Sequence, residues 1–108
     1  MADVDDGHAR ATVEGTSDGS GTARLRIEGD LDLSTVGAVE RDLEPFLAAS
    51  PSCVVFDMAH VSFIDSSGIA MVLRAAARVP RVEVHDPSPS VQLILSATGL
   101  AETLHVTS

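Results

Sequence analysis

Ala23, Leu25 and Ile27 alternate with Arg24, Arg26 and Glu28. Strict alternation of apolar and charged side chains predicts a strand with one face buried and one face wet. Upstream, His8 to Glu14 predicts a short edge strand. Between the two, Gly15-Thr16-Ser17-Asp18-Gly19-Ser20-Gly21 has the composition of a turn, so the pair reads as a hairpin. Gly29-Asp30-Leu31-Asp32-Leu33 leaves the second strand. The pattern then changes period. Val36, Val39, Leu43, Phe46 and Leu47 follow at spacings of three, four, three and one, the apolar stripe of an amphipathic helix. Glu40, Arg41, Asp42 and Glu44 fall on its wet side, and Ser34 or Thr35 can cap its start.

Ser50-Pro51-Ser52 breaks that helix, and the apolar run Cys53-Val54-Val55-Phe56 predicts a buried strand. A loop is expected from Asp57 to Ile64. A second helix should begin near Ser66, with Ile69, Val72, Leu73 and Ala76 on one face, and end at Val79 before Pro80. Arg81 to His85 predicts a short strand. Ser88-Pro89-Ser90 opens a third helix carrying Val91, Ile94, Leu95 and Thr98, and Gly99 stops it. Leu100 to Val106 is a last helical turn or short strand. Strand–helix–strand units imply parallel neighbours with right-handed crossovers, and the hairpin adds an antiparallel pair. The predicted fold is α/β: a mixed sheet of four to five strands packed against helices, as one domain over residues 8–108, preceded by a flexible acidic tail over residues 1–7.

The chain has 108 residues and a formal net charge of −9. That length allows a real core. The acidity argues against nucleic acid and anionic membranes, whose phosphates need Lys and Arg, and is compatible with a basic protein partner. No apolar run approaches the roughly 20 residues of a membrane span, and no signal peptide is visible, so a cytoplasmic protein is expected. Cys53 is the single cysteine and reads as an inert core residue. His8, His60, His85 and His105 have no spacing that suggests a metal site, and no cofactor is expected. Ser66 and Ser67 lack a Gly-x-Ser-x-Gly context and a defined base, so catalysis is not expected.

The segment with the most chemistry is Val61-Ser62-Phe63-Ile64-Asp65-Ser66-Ser67-Gly68-Ile69. Two hydroxyls stand where a helix must start, among unpaired N–H groups at the positive end of the dipole. A plain N-cap explains such residues, and so does a serine switched by phosphorylation. Gly68 would let another backbone or a phosphate approach, or would relieve crowding in the first turn. Ile69, Met71 and Val72 are either core or an apolar contact surface beside the serines.

Three pieces together resemble one family. They are Gly29-Asp30-Leu31-Asp32 after a strand, Phe56-Asp57 through the segment above, and Leu93-Ile94-Leu95-Ser96-Ala97-Thr98-Gly99-Leu100. In this order and spacing they resemble the STAS domain of stand-alone bacterial anti-sigma factor antagonists, over roughly Ala23 to Val106. The resemblance implies that Ser66 is a regulatory phosphorylation site, with Ser67 the second choice. It implies Asp32, Thr35, Asp65, Ser67, Gly68 and Ile69 as neighbours of the partner and phosphate site. It further implies an anti-sigma factor serine kinase and a PP2C-type phosphatase as partners, and a monomer without catalysis of its own. The same fold also serves non-switching scaffolds of stressosomes and accessory subunits of lipid-transport complexes. Ala70 stands where the family often has a second glycine.

Overall fold

A computed structural model describes residues 11–107. The elements run β1 (Ala11–Ser17), β2 (Thr22–Leu31), α1 (Val36–Ala48), β3 (Cys53–Ile64), α2 (Ser66–Ala76), β4 (Arg81–His85), α3 (Pro89–Thr98) and β5 (Val106–Thr107). One sheet holds all five strands in the order β1-β2-β3-β4-β5. β1 pairs antiparallel with β2, and every other pair is parallel. The expected mixed α/β sheet is therefore present, with the short C-terminal strand as its fifth member. The proposed tail, and His8 to Arg10 of the predicted first strand, lie outside the described residues.

Alternation sorts the sheet into two faces. Ala23, Leu25, Ile27, Val54, Phe56, Val82 and Val84 point inward and share one core cluster with Val39 and Leu43 of α1, Met71 and Val72 of α2, and Val91 and Leu95 of α3. The opposite face carries Arg24, Arg26, Asp57, Glu83 and His85 around Val55, which is buried but outside that cluster. On it, Glu83 lies 2.6 Å from Arg81 and 2.8 Å from His85. The Arg81 guanidinium first, then His85, holds the Glu83 carboxyl down to about 2. Its folded value lies below the unfolded one, so its contribution is complete above the ordinary glutamate range and is lost as pH falls from there toward 2. Glu83→Gln should therefore flatten the loss of stability between pH 5 and about pH 2. Urea midpoints of both proteins across that range check it, and parallel curves would contradict it.

Several expected boundaries are corrected. Gly15 to Ser17 are strand, not turn, because they pair with Leu25 to Ala23 and the Phe46 ring lies over Gly15. β2 does not end at Glu28 but runs on through Gly29, Asp30 and Leu31. Asp57 to Ile64 is not a loop: β3 continues to Ile64 along β2. α2 stops at Ala76, before the expected Val79. Its buried residues are Gly68, Ile69, Met71, Val72 and Ala75, while Leu73 is exposed. The α2 arginines reach α1, with Arg74 2.7 Å from Glu40 and Arg78 2.6 Å from Glu44. Gly99 ends α3 at φ 74°, the left-handed conformation expected of a C-terminal glycine stop.

Candidate functional site

Parallel pairing brings the carboxyl ends of β2 and β3 together. Leu31 pairs with Ile64, and the Asp65 N–H donates to the Leu31 carbonyl at 3.1 Å. The two strands thus release Asp32 and Asp65 side by side. Asp65 is the N-cap of α2. Its Oδ1 accepts from Ser67 N at 2.8 Å and Gly68 N at 3.3 Å, while its carbonyl accepts from Ile69 N at 3.1 Å. Ser66 occupies the first helical position and is exposed; Ser67 is half-buried.

This arrangement changes one sequence expectation. The N–H groups of Ser67, Gly68 and Ile69 are not free to receive a phosphate on Ser66, because Asp65 already takes them. A phosphate there would stand outward beside the Asp65 carboxyl. Removing the cap should cost about 1 kcal/mol, as other N-cap truncations do. Asp65→Ala is thus expected to unfold at lower denaturant concentration; an unchanged midpoint would show that the two hydrogen bonds contribute nothing net.

Asp32 begins a tight turn. Its Oδ1 accepts from Ser34 N at 2.9 Å and from the Ser34 hydroxyl at 2.6 Å. The Ser34 hydroxyl, with the Ser34 and Thr35 amides, holds the Asp32 carboxyl below the usual carboxylate range. Thr35 sits at the N-cap position of α1, yet its side chain does not cap the helix. Its hydroxyl accepts from Asp32 N at 3.0 Å and donates to the Asp30 carbonyl at 2.7 Å, so it closes the turn that presents Asp32. Thr35 is 7% exposed, and Ile69 is also 7% exposed. Neither offers a contact surface: Thr35 supports the turn from below, and Ile69, with Met71 and Val72, belongs to the core.

Gly68 is a close-approach position. A Cβ built there would lie 2.7 Å from Ile64 Cγ1 and 2.9 Å from both the Leu31 Cβ and the Leu31 carbonyl oxygen. The missing side chain lets the first turn of α2 seat on the ends of β2 and β3. Sequence reasoning missed the large apolar side chains around this end. Leu33 is 79% exposed, Leu93 72% and Phe63 49%. The signal was available only in part: Phe63 stood in a presumed loop, and Leu93 lies off the stripe of α3. His60, the histidine nearest the serines in sequence, lies exposed on β3, opposite Glu28 in register.

Residues 16–108 match the family model described as the STAS domain. The chain belongs to the STAS domain family. Among curated proteins, this STAS chain is 30% identical over 63 residues to the anti-sigma-F factor antagonist RsfB of Mycobacterium tuberculosis. That match covers 58% of the chain and 52% of RsfB, so the matched part spans about half the relative's length. Among solved structures, an anti-sigma factor antagonist from Mycobacterium paratuberculosis superposes with a TM-score of 0.80 at 22% identity, over 89% of this chain and 84% of that one. Unphosphorylated SpoIIAA, also an anti-sigma factor antagonist, gives 0.75 at 20% identity over 90% and 89%. The phosphorylated form of SpoIIAA, a Bacillus cell fate determinant, gives 0.69 at 20% identity over 90% and 92%. These likenesses show the same fold over 89–90% of the chain.

Proposed function

We propose that this STAS domain is an anti-sigma factor antagonist acting in the cytoplasm. Unphosphorylated, it binds an anti-sigma factor that is also an ATP-dependent serine kinase, and so frees the sigma factor. Phosphorylation of Ser66 ends the interaction, and a PP2C-type phosphatase restores it. The observation that carries this reading is the exposed Ser66 at the head of α2, on a turn fixed by the Asp65 cap.

The chemistry supports it. A phosphoryl acceptor must present its hydroxyl in line with the γ-phosphate, and Ser66 stands clear of its own helix for that approach. Phosphoserine adds about 1.5 to 2 negative charges. With the first-turn N–H groups taken by Asp65, the fold has little to gain or lose from that charge. A docked kinase has more to lose. Its nucleotide phosphates must lie against Ser66 for transfer, and the new dianion faces them across the interface.

The test is mass spectrometry of the chain after incubation with ATP and the anti-sigma kinases of its own genome. One phosphate on Ser66 is expected. Phosphate on Ser67 instead would keep the class and move the acceptor. No phosphate with any kinase, together with a stable copurifying assembly, would replace this reading with a scaffold or transport-accessory role.

A further inference from the structure

Resting on that reading of function, we propose where the anti-sigma partner anchors. It inserts one large aliphatic side chain between Phe63 and Leu93, with an arginine or lysine beside it facing Asp30. A cleft of about 310 Å³ opens here, lined by Phe63, Ile64, Ser90, Leu93, Ile94 and Ala97. Its walls are almost wholly apolar. Leu93 and Phe63 stand at 72% and 49% exposure. Two such side chains flanking a concave apolar cleft mark an interaction site more than scattered surface residues do.

The cleft opens at the same end of the sheet as the proposed acceptor, since Phe63 and Ile64 close β3 just before Asp65 and Ser66. Ile64 lines the cleft and also packs against Gly68, two residues after Ser66. Ser90 at the start of α3 donates its hydroxyl to the Ser62 carbonyl at 3.1 Å, so the two walls of the cleft are tied together. A partner seated on Ser66 therefore reaches the cleft without leaving the same end of the sheet.

Charge says what kind of partner fits. All seven basic residues are arginines, and none lies in residues 27–40, 54–73 or 82–108. Those segments form the carboxyl ends of β2, β3 and β4 and all of α3. The same end carries Asp30, Asp32 and Asp65. Asp30 pairs with Phe63 in register, so its carboxylate stands on the same side of the sheet as that ring. A guanidinium over the Phe63 face would also meet Asp30, joining a cation–π contact to an ion pair. The partner surface is thus an apolar anchor in a basic rim.

The test uses the full chain and the kinase that phosphorylates it. Leu93→Asp and Asp30→Arg are compared with wild type by calorimetric titration, thermal melting and sedimentation. Leu93→Asp should weaken kinase binding at least roughly tenfold, the effect of losing a buried anchor, with an unchanged melting temperature. Asp30→Arg should slow association and reduce its salt dependence, as loss of a rim charge does. Wild-type affinity of both variants, alongside lost binding by Ser66→Asp, would overturn the anchor and leave the proposed function standing. Dissociation of a dimer by Leu93→Asp, with kinase binding intact, would give the cleft to a second copy and overturn it equally. Failure of every kinase to bind or phosphorylate the chain would remove the function and the anchor with it.

Discussion

Ser66→Asp is expected to bind the anti-sigma kinase roughly 10- to 100-fold more weakly than the wild type, about 1–3 kcal/mol. The carboxylate places a fixed negative charge where the partner must bring its nucleotide phosphates. Ser66→Ala is expected to bind at wild-type strength and to resist the phosphate switch. The two variants separate charge from shape, because both remove the same hydroxyl. Neither should alter stability much. Ser66 is exposed, and an acidic residue in the first turn of a helix is mildly favoured by the dipole. Titration calorimetry against the kinase, with melting curves of the free proteins, reads both effects. If Ser66→Asp binds as tightly as Ser66→Ala, charge at this position does not govern the interaction, and the electrostatic switch fails. The acidic surroundings sharpen the expectation: Asp32 is held ionised by Ser34, and Asp65 stands adjacent in sequence. A new charge at Ser66 adds to theirs rather than being neutralised.

How much of this was legible in the sequence depends on which residues set the pattern. β2 was plain, because Leu25 and Ile27 face the core and Arg24 and Arg26 face water along a strand paired on both sides. β3 was legible only to Asp57. Beyond it the inward residues are Met58, Val61 and Ile64, spaced by three, and that is not a strand period. The cause is two register shifts against β2, each placing one extra residue on β3: Arg26 and Glu28 face Asp57 and His60, and Gly29 and Asp30 face Val61 and Phe63. β4 pairs only with Cys53 to Asp57, so the second half of β3 has β2 alone as its neighbour. A bulge belongs to a pair of strands, and no single segment announces it. Gly15 misled for a related reason. Its glycine reads as turn, but the Phe46 ring, far away in sequence, covers it. At the site, a capped helix start near Ser66 followed from local sequence. The inward place of Ile69 and the turn-closing role of Thr35 did not, since both depend on how α1 and α2 sit on the sheet.

Gly68→Ala tests that seating directly. A methyl at Gly68 would stand 2.9 Å from the Leu31 carbonyl oxygen and 2.7 Å from Ile64 Cγ1. Ile64 can rotate, but the carbonyl is backbone and accepts the Asp65 N–H. Relief requires α2 to lift from β2, which loosens the same hydrogen bond that sets Asp65 beside Asp32. Overpacking of this kind costs about 1–3 kcal/mol. Alanine returns up to about 1 kcal/mol of helix propensity over glycine. The packing cost wins here because a main-chain atom is among those overlapped. A net loss of about 1 kcal/mol is expected, roughly 5 °C in melting temperature for a domain of this size. Gly37→Ala in the first turn of α1 supplies the control. Its Cβ would meet nothing nearer than Arg41 Nη1 at 4.0 Å, so the propensity gain is unopposed and the melting temperature should rise. The two substitutions make the same chemical change in the first turn of a helix, so opposite signs isolate the contact with β2. If Gly68→Ala melts as high as Gly37→Ala, α2 has room to move at no cost, and Ser66 is not held on a rigid frame.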